Sequence, residues 1–433
     1  MTAASARSAD CAVAWTDARA RRVLRAMFDG AVASADPAKV IAAHLPDPPC
    51  GRCVVVGAGK AAASMAAAVE AAWPKVSLSG VVVTPYGYAL KTERIVVREA
   101  AHPVPDANSE VAARAILDAV RELTARDLVL VLISGGGSSV LSLPIDGITL
   151  ADKQLVNRLL LASGLDIRTM NAVRRRLSAI KGGKLAAAAA PAQVVTLGIS
   201  DIPGDDVAAI ASGPSVVDPM PEADLAEVVR ILGPSLPAHV AQRLVASEPI
   251  LVGQVQTDFR LVGTPAAALR AAAELAEYEG IKPVILGDDL EGESSLLGAE
   301  LAARASLPVD RPTVFLSGGE TTVTLAGEPA GAGGRNTETA LALAVELAGR
   351  PGVWALAADT DGVDGVSHAA GAVVGPDTIA RARLAEMDPA EFLRAHDSGT
   401  LFAAIDDLVI TGPTRTNVND FRAVLVVPGA IAP

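Results

Sequence analysis

Cysteine is scarce in this chain, with three residues among 433. So few cysteines argue against a disulfide framework and are typical of a reducing compartment, which predicts a cytoplasmic protein. No apolar run reaches the roughly 18 residues of a membrane-spanning helix. The first 30 residues contain three aspartates and no apolar stretch typical of a signal peptide. The sequence therefore predicts neither a membrane span nor a signal peptide.

Basic residues are outnumbered: 37 lysines and arginines stand against 49 aspartates and glutamates, a net charge of −12. A general nucleic-acid binder needs a basic surface that releases counterions, so we expect no nucleic-acid partner. Aromatic residues are also rare, at 3%, so Ala, Val, Leu and Ile must fill the core. The length of the chain favours two or three domains over one.

Short β-branched runs alternate with long Ala-rich helical stretches from residue 53 to residue 427. This alternation predicts an α/β protein with parallel sheets that helices cover on both faces. Glycine, proline and serine interrupt the pattern at residues 234–249. We therefore predict two domains, residues 1–245 and 246–433, each with a mostly parallel sheet, the first Rossmann-like. Ligands of such folds bind at the carboxyl ends of strands.

A predicted strand, a glycine turn and a helix start follow one another at residues 54–62. The turn fits G-x-G-x-x-A, but a dinucleotide site also needs an acidic residue at the end of the next strand, and residues 80–84 contain none. Lys60 stands at the predicted helix N-terminus, where an ammonium group is unfavourable unless it serves an anion. The alternative is a solvated surface lysine.

The most apolar predicted strand ends in a turn of serines and glycines. Consecutive glycines let the main chain approach a ligand and present several N–H groups to an anion, so this turn predicts a phosphate site. A tight turn without a ligand is the alternative. A similar strand and turn recur at residues 314–323, with Glu320 after the glycines. The predicted phosphate-binding residues are Ser134, Gly135, Gly136, Gly137, Ser138 and Ser139.

Two further basic positions accompany glycine-rich segments. Lys181 lies in the densest basic stretch, residues 171–185. Two interpretations stay open: the cations stabilise the end of a helix that stops at Gly182, or they contact a nucleotide. Arg335 follows Gly333 and Gly334. A guanidinium presented on glycines suits a carboxylate or a phosphate, with an exposed, unpaired arginine as the alternative.

Acidic and amide side chains follow other predicted strands. Asp201 and Asp205 come after the strand at residues 194–200, and Asp361 comes after the strand at residues 353–358. Carboxylates at strand ends suit Mg²⁺, which takes one or two of them and completes its shell with water and phosphate. Asn417 and Asn419 lie in a polar loop, where they either bind hydroxyl groups or satisfy their own turn.

Taken together, these segments resemble the glycerate 2-kinase family, whose C-terminal half is the MOFRL domain. They occur in a consistent order from residue 54 to residue 427, nearly the whole chain. The segments are GAGKAA, HPVPD, LISGGGSS, AIKGGKLA, SDIPGDD, IASGP, LSGGETT, GGRNTE, DTDGVDG and TGPTRTNVND. The chain departs from the family pattern at Arg415, where the motif has glycine, and at Thr337, where it has glutamine.

The resemblance implies two α/β domains with an active site in the cleft between them, and ATP-dependent phosphorylation of D-glycerate at its 2-hydroxyl with a divalent cation such as Mg²⁺. Some relatives are called hydroxypyruvate reductases, so an NAD(P)H-dependent reductase is the alternative, and a non-catalytic metabolite-binding protein is another. A homo-oligomer is compatible with the sequence. Because a kinase with an open site would hydrolyse ATP, we expect the cleft to close.

We hypothesise the following roles. The turn at residues 134–139 binds the nucleotide phosphates together with Lys181 and Glu320. Asp201, Asp205 and Asp361 hold the metal. Lys60 and Arg335 bind the glycerate carboxylate and the moving phosphoryl group, and Asn417 and Asn419 contact the substrate. Asp201 is either the proton acceptor or a metal ligand.

Overall fold

The computed structural model describes residues 15–216, 225–246, 257–325 and 331–429. Within them, the strands are β1 Cys53–Ala58, β2 Leu78–Pro85, β3 Val96–Ala100, β4 Leu128–Ile133, β5 Gln193–Ile199, β6 Thr257–Gly263, β7 Lys282–Gly287, β8 Gly292–Glu293, β9 Thr313–Ser317, β10 Thr321–Thr322, β11 Val353–Asp359, β12 Gly371–Val374, β13 Leu408–Val409 and β14 Asp420–Val426.

The helices are α1 Asp17–Ser34, α2 Pro37–Val40, α3 Ala62–Ala72, α4 Ala107–Ala119, α5 Gly137–Val140, α6 Leu150–Ala162, α7 Ile167–Arg176, α8 Lys184–Ala189, α9 Leu225–Leu232, α10 Ala238–Val245, α11 Pro265–Tyr278, α12 Ser294–Ala305, α13 Arg335–Leu347, α14 Thr378–Leu384, α15 Pro389–Arg394 and α16 Ser398–Ala404. None of these helices is both long enough and apolar enough to cross a membrane.

The first sheet has six strands in the order β3-β2-β1-β4-β5-β6, and every neighbouring pair is parallel. The predicted parallel sheet is confirmed, and its strand order is the one found in Rossmann folds. The order reverses at β1, which lies between β2 and β4. Chain connections leave in opposite directions at such a point, which opens a crevice beyond the carboxyl ends of β1 and β4.

The second large sheet has the order β13-β12-β11-β14-β9-β7, and here the prediction of a mostly parallel sheet is wrong. Only β7 and β9 are parallel, whereas the other four neighbouring pairs are antiparallel. Parallel neighbours need a crossover, usually a helix. The connections from β11 to β12 and from β13 to β14 contain no helix, so these strands turn back.

The predicted domain limit at residues 245 and 246 stays a prediction. The strand β6 lies beyond it and still pairs with β5 in the first sheet. The chain enters the second sheet only after α11, at β7.

One hydrophobic core joins the two sheets. It contains Leu130 and Leu132 from the first sheet, Leu356 from the second, and apolar residues of α1 and α11 between them. Phe28 of α1 packs against Phe421 of β14, with ring centroids 5.9 Å apart. The helices α1 and α11 therefore form a shared layer that sets the two sheets relative to each other. Helices also cover the outer faces, α4 and α8 on the first sheet and α12 and α13 on the second.

Candidate active site

The turn after β1 and the turn after β4 lie side by side in the crevice. The main-chain N–H of Lys60 donates to the carbonyl of Gly135 over 2.9 Å, and the N–H of Ala61 donates to Ser134 Oγ over 2.9 Å. Gly59 has φ +128°, and a Cβ there would come within 2.4 Å of the Ser134 carbonyl. Only glycine lets the two turns pass so closely. Ser134 is fully buried and connects the turns, so its hydroxyl does not face the crevice.

Three segments meet at Gly135. A Cβ on this glycine would lie 1.9 Å from Asp201 Oδ2 and 2.4 Å from Asn417 Nδ2. Asp201 follows β5 in the first domain, whereas Asn417 comes from the loop before β14 in the second. The turn at residues 134–139 therefore lies where both domains approach each other, and any side chain at Gly135 would displace the Asp201 carboxylate.

Asp201 is held by the two asparagines predicted to contact substrate. Asn417 Nδ2 donates to Asp201 Oδ2 over 3.0 Å, and Asn419 Nδ2 donates to the Asp201 carbonyl over 3.0 Å. Burial raises the pKa of Asp201 to about 6, although the positive charge of Lys60 opposes that shift. The asparagines thus connect the two domains through Asp201. Their predicted contact with substrate stays a prediction.

Lys60 forms an ion pair with Asp361 of the second domain. Burial lowers the pKa of Lys60, but the charges of Asp361 and Asp359 outweigh burial and leave that pKa above its ordinary value. Asp361 in turn donates its main-chain N–H to Asp359 Oδ1 over 3.0 Å. The alternative of a solvated surface lysine is wrong, because the ammonium of Lys60 lies in the cleft and stays charged.

Arg335 opens α13 and is surrounded by carboxylates. Its Nε donates to Asp420 Oδ1 over 2.9 Å and its Nη2 to Asp359 Oδ2 over 2.8 Å, and its Nη1 pairs with Glu320. Asp359 thus contacts Arg335 through one oxygen and the Asp361 main chain through the other. This connection places Lys60 and Arg335 in the same cleft. The alternative of an exposed, unpaired arginine is wrong.

The register of the second sheet brings the carboxylates around Arg335 together. In the antiparallel pair of β11 and β14, Asp359 at the end of one strand lies opposite Asp420 at the start of the other. The two carboxylates hold Arg335 between them. Behind them Arg422, 1% exposed, donates to Asp420 Oδ2 over 2.6 Å and to the Gly318 carbonyl over 2.7 Å. A buried guanidinium in this position balances the paired carboxylates.

Asp364 and Thr337 position the helix that carries Arg335. Asp364 accepts bonds from the main-chain N–H groups of Asn336 and Thr337, over 2.9 and 2.8 Å, and from Thr337 Oγ1 over 2.9 Å. Carboxylates at a helix N-terminus stabilise its free N–H groups. Thr337, where the family pattern has glutamine, is fully buried, so this departure changes the support of α13 and not a surface that meets substrate.

Lys181 lies beneath the turn at residues 134–139. It is 3% exposed, and its Nζ donates to the Ser138 carbonyl over 2.6 Å. The alternative of a cation at the end of a helix that stops at Gly182 is wrong, because α7 ends at Arg176. Ser138 also shares a hydrogen bond of 2.8 Å with Ser212 Oγ. Lys181 and Ser212 therefore both contact the predicted phosphate turn.

The three carboxylates predicted to bind metal do not form a ready-made centre. In the parts of the chain that the structure describes, no group of three or more His, Cys, Asp or Glu residues could hold a metal ion. Asp361 pairs with Lys60 and Asp201 with Asn417. Asp205 is different, because its Oδ1 is buried and has no hydrogen-bond partner among the described residues. A carboxylate oxygen of this kind fits Mg²⁺, which draws its other ligands from water and phosphate.

Sequence reasoning missed Asp359, Asp420 and Arg422 as the residues that position Arg335. A signal existed for the two aspartates, since Asp359 opens the DTDGVDG segment and Asp420 closes TGPTRTNVND. No signal pointed to Arg422, which also bonds Gly318 and Thr321 about a hundred positions away in the chain.

Two sequence families match this chain. The first is a domain of unknown function, DUF4147, which matches residues 23–245, and the second is the MOFRL family, which matches residues 313–420. A D-glycerate 2-kinase from Thermotoga maritima is 36% identical over 398 residues, which cover 90% of this chain and 94% of that protein. The chain belongs to the glycerate 2-kinase family. The resemblance inferred from the sequence segments is thereby confirmed.

Structure agrees with this membership. The crystal structure of a glycerate kinase from Thermotoga maritima superposes with a TM-score of 0.85 at 34% identity, over 95% of this chain and 100% of that one. Another relative has a name that implies a different reaction. A putative hydroxypyruvate reductase from Agrobacterium vitis is 55% identical over 423 residues, which cover 96% of this chain and 97% of that protein. Glycerate kinases and hydroxypyruvate reductases catalyse different reactions, so the site must decide between them.

Proposed function

We propose that this protein is an ATP-dependent kinase that phosphorylates D-glycerate at the 2-hydroxyl, giving 2-phosphoglycerate. The observation that carries the proposal is the cleft in which Lys60 and Arg335, from opposite domains, are joined through Asp361 and Asp359 beside a glycine turn. The similarity to glycerate kinases supports the same reaction. Phosphoryl transfer depends mainly on positioning and on neutralising charge, which suits this equipment.

Lys60 and Arg335 neutralise the carboxylate of the substrate and the moving phosphoryl group. Both cations are held by carboxylates from the second domain, so their positions are set before substrate arrives, which is the condition for electrostatic catalysis. Asp201 accepts the proton of the reacting hydroxyl. Its pKa of about 6 leaves it ionised at neutral pH and close enough to that pH to act as a base. Asn417 orients this carboxylate by its hydrogen bond.

The nucleotide phosphates lie on the turn at residues 134–139, next to Lys181. Gly136, Ser138 and Ser139 are the partly exposed members of the turn and the ones that meet the phosphates. With Asp201 as the base, Asp205 with its unpartnered oxygen would hold Mg²⁺, which would screen charge between the phosphates when bound. Glu320 is assigned to Arg335 in this arrangement, since the two pair directly.

The reductase remains the second candidate, because a relative carries that name and the first sheet has the Rossmann order. The G-x-G-x-x-A turn after β1 adds to it. Against it, β2 ends in Thr84 and Pro85, so the strand lacks the acidic residue that binds the ribose of a dinucleotide. The glycine turn is also closed by its own contacts to Ser134 and Gly135. These features favour the kinase.

Two assays run in parallel test the proposal. The first couples ADP formation to D-glycerate, and the second follows nicotinamide absorbance with hydroxypyruvate. The kinase predicts ADP only with D-glycerate present and no nicotinamide consumption, and phosphorus NMR of the product then separates 2-phosphoglycerate from the 3-isomer. Nicotinamide oxidation without ATP would favour the reductase, and binding of D-glycerate without turnover would favour a binding protein. The cytoplasmic location and the homo-oligomer stay predictions.

A further inference from the structure

A cluster of basic residues, of which one is buried and three are half-buried, lies next to the turn at residues 134–139. We call Lys153, Arg174, Lys181 and Lys184 the basic cluster. Lys181 reaches the turn itself through the Ser138 carbonyl, at 2.6 Å. The segment at residues 103–105 joins α6 to the turn, because Ser139 Oγ donates to the Pro103 carbonyl and Gln154 Nε2, next to Lys153, donates to the Pro105 carbonyl, each over 2.7 Å. The charges of Lys153 and Arg174 act on Lys181, and the charge of Lys184 acts on Lys153.

Lys153 is the unusual member of the basic cluster. It lies on α6 with a half-buried side chain, yet its Nζ is buried and has no hydrogen-bond partner in the described ranges. The carboxylate whose charge acts on it is that of Glu110, which forms a 2.7 Å ion pair with Arg114 instead. Burial and the neighbouring Lys184 lower the pKa of Lys153 to about 8. A buried ammonium without a partner is unfavourable.

The other members of the basic cluster donate hydrogen bonds to neutral groups. Lys181 donates to a main-chain carbonyl, Arg174 donates to the side-chain oxygens of Asn157 and Asn171, and Lys184 donates to the Arg175 and Ser178 carbonyls. The contacts of Lys181 and Arg174 fill hydrogen-bonding positions and bring no negative charge. An anion at this point would supply the missing charge and the missing partner of Lys153 together.

The turn connects the basic cluster with the reaction cleft. A Cβ on Gly136 would lie 3.5 Å from Lys60 Cγ, whereas Ser138, two residues on, contacts Lys181. An elongated anion that lies along the turn therefore meets the basic cluster at one end and Lys60 at the other. A polyphosphate chain has this shape and charge, whereas a single carboxylate meets only one end.

We propose that Lys153, together with Lys181, binds the non-transferred phosphates of the nucleotide donor, so that the triphosphate runs along the turn from the basic cluster to Lys60. This inference rests on the proposed kinase function and adds to it the direction in which the nucleotide lies. Lys153 occupies no predicted motif, since it stands within an ordinary amphipathic helix.

Calorimetric titration of the whole protein with ATP, with inorganic tripolyphosphate and with D-glycerate tests this site. The variant is Lys153→Met, which keeps the length of the side chain and removes the charge. Losing one charge-assisted contact should weaken ATP and tripolyphosphate binding about tenfold, with D-glycerate binding unchanged. The melting temperature should not fall, because an unpartnered buried charge is removed. Lys153→Arg should retain most of the affinity, and Lys75→Met, at an exposed lysine, controls for net charge.

The outcomes separate this site from the proposed function. Wild-type affinity for tripolyphosphate in Lys153→Met, with a lower melting temperature, would mean that Lys153 only supports the fold and would overturn the inference. An equal loss in Lys75→Met would overturn it as well, since the effect would then be one of overall charge. If tripolyphosphate binding weakens only in Lys153→Met while the wild type forms no ADP with D-glycerate, the phosphate site stands and the kinase reaction fails.

Discussion

The turn after β4 and the turn after β9 share the sequence Ser-Gly-Gly, yet they differ in exposure and in their contacts. The first exposes Gly136, Ser138 and Ser139 in part, and it lies between Lys60 and the basic cluster. The second buries Gly318 and Gly319 completely. Its main chain is already engaged, because Arg422 donates to the Gly318 carbonyl, and a Cβ on Gly319 would lie 2.2 Å from the Leu290 carbonyl.

This difference shows that a glycine turn does not itself identify a ligand site. The flexibility that lets a main chain approach a phosphate also lets it approach its own protein. Beneath the first turn Lys181 donates to a main-chain carbonyl and not to a carboxylate, whereas the second turn leads into Glu320, which contacts Arg335 together with Asp359. This difference supports the proposal that the first turn serves the nucleotide, whereas the second turn positions Arg335.

Removing Lys60 should have the largest effect, because this cation lies at the inner end of the first turn. We expect Lys60→Met to lower kcat by about a thousandfold, the size seen when a key stabilising charge is lost. The variant also leaves Asp361 buried without its partner, so the Lys60→Met, Asp361→Asn double variant should recover stability but not activity. Steady-state kinetics and thermal melting measure both. Turnover like that of the wild type in Lys60→Met would contradict the role given to Lys60.

Removing Arg335 tests the second turn. Arg335→Gln should lower kcat by about a hundredfold and destabilise the fold by about 3–5 kcal/mol, because Asp359 and Asp420 lose their partner while buried. Denaturant unfolding measures the second effect. Glu320→Gln is the matched control, since Glu320 is 54% exposed and its loss should change stability little. If Glu320→Gln weakened ATP binding while leaving Arg335-dependent catalysis intact, the second turn would be a nucleotide site after all.

The pH dependence should separate the catalytic carboxylate from the structural one. Burial raises the pKa of both Asp201 and Asp364 to about 6, but Asp364 only holds the start of α13. If Asp201 is the base, kcat/KM for D-glycerate rises as pH increases through about 6. Asp201→Asn should remove this rise together with most of the activity, whereas Asp364→Asn should keep it. A rise that disappears in Asp364→Asn alone would contradict the assignment.

Stability should change with pH in the opposite direction to kcat/KM. Folded Asp201 keeps its proton up to about pH 6, whereas the carboxyl group of the unfolded chain loses its proton around its ordinary value of 3.8. The folded state therefore binds more protons between these values, and its contribution to stability falls as pH rises from 3.8 to about 6. Melting temperatures of the wild type and Asp201→Asn across this window should converge toward low pH.

The smallest effect is expected at Arg415, which lies at φ +61° in the loop that joins the domains at Asn417. Replacement by glycine relieves the left-handed conformation and should stabilise the fold by about 1 kcal/mol. Arg415→Ala removes the same side chain and keeps the conformation, so it should not stabilise. Thermal melting of the two variants measures the difference. Equal melting temperatures would show that the loop tolerates this conformation without strain.

Much of the first domain was predictable because its elements follow from local patterns. The strands before the two glycine turns are found as β1 and β4, and the strand predicted at residues 194–200 is found at Gln193–Ile199. A parallel sheet then places their carboxyl ends at one edge, so Lys60, Ser134 and Asp201 were expected to meet and do meet. Repulsion among the cations beneath the turn was not predictable, because Lys153 looks like any lysine on an amphipathic helix.

The second domain was less predictable because its site depends on register. A parallel arrangement would place Asp359, at the end of a strand, far from Asp420, at the start of another. The antiparallel pair instead places them opposite each other, and Arg335 lies between them. Strand direction follows from which connections carry helices, and the polar segments between β11 and β14 gave no local sign of that choice.

Residue types, turns and periodicity were enough to identify the family, the α/β class and the chemistry-bearing segments, since each of these features is written within a few consecutive positions. The partners of each charge were decided by the folded chain alone. Lys60 meets Asp361 across 301 positions, and Asn417 meets Asp201 across 216. Contacts at such separations depend on how two sheets are set on the shared layer of α1 and α11, and packing of apolar side chains, not a local motif, determines that arrangement.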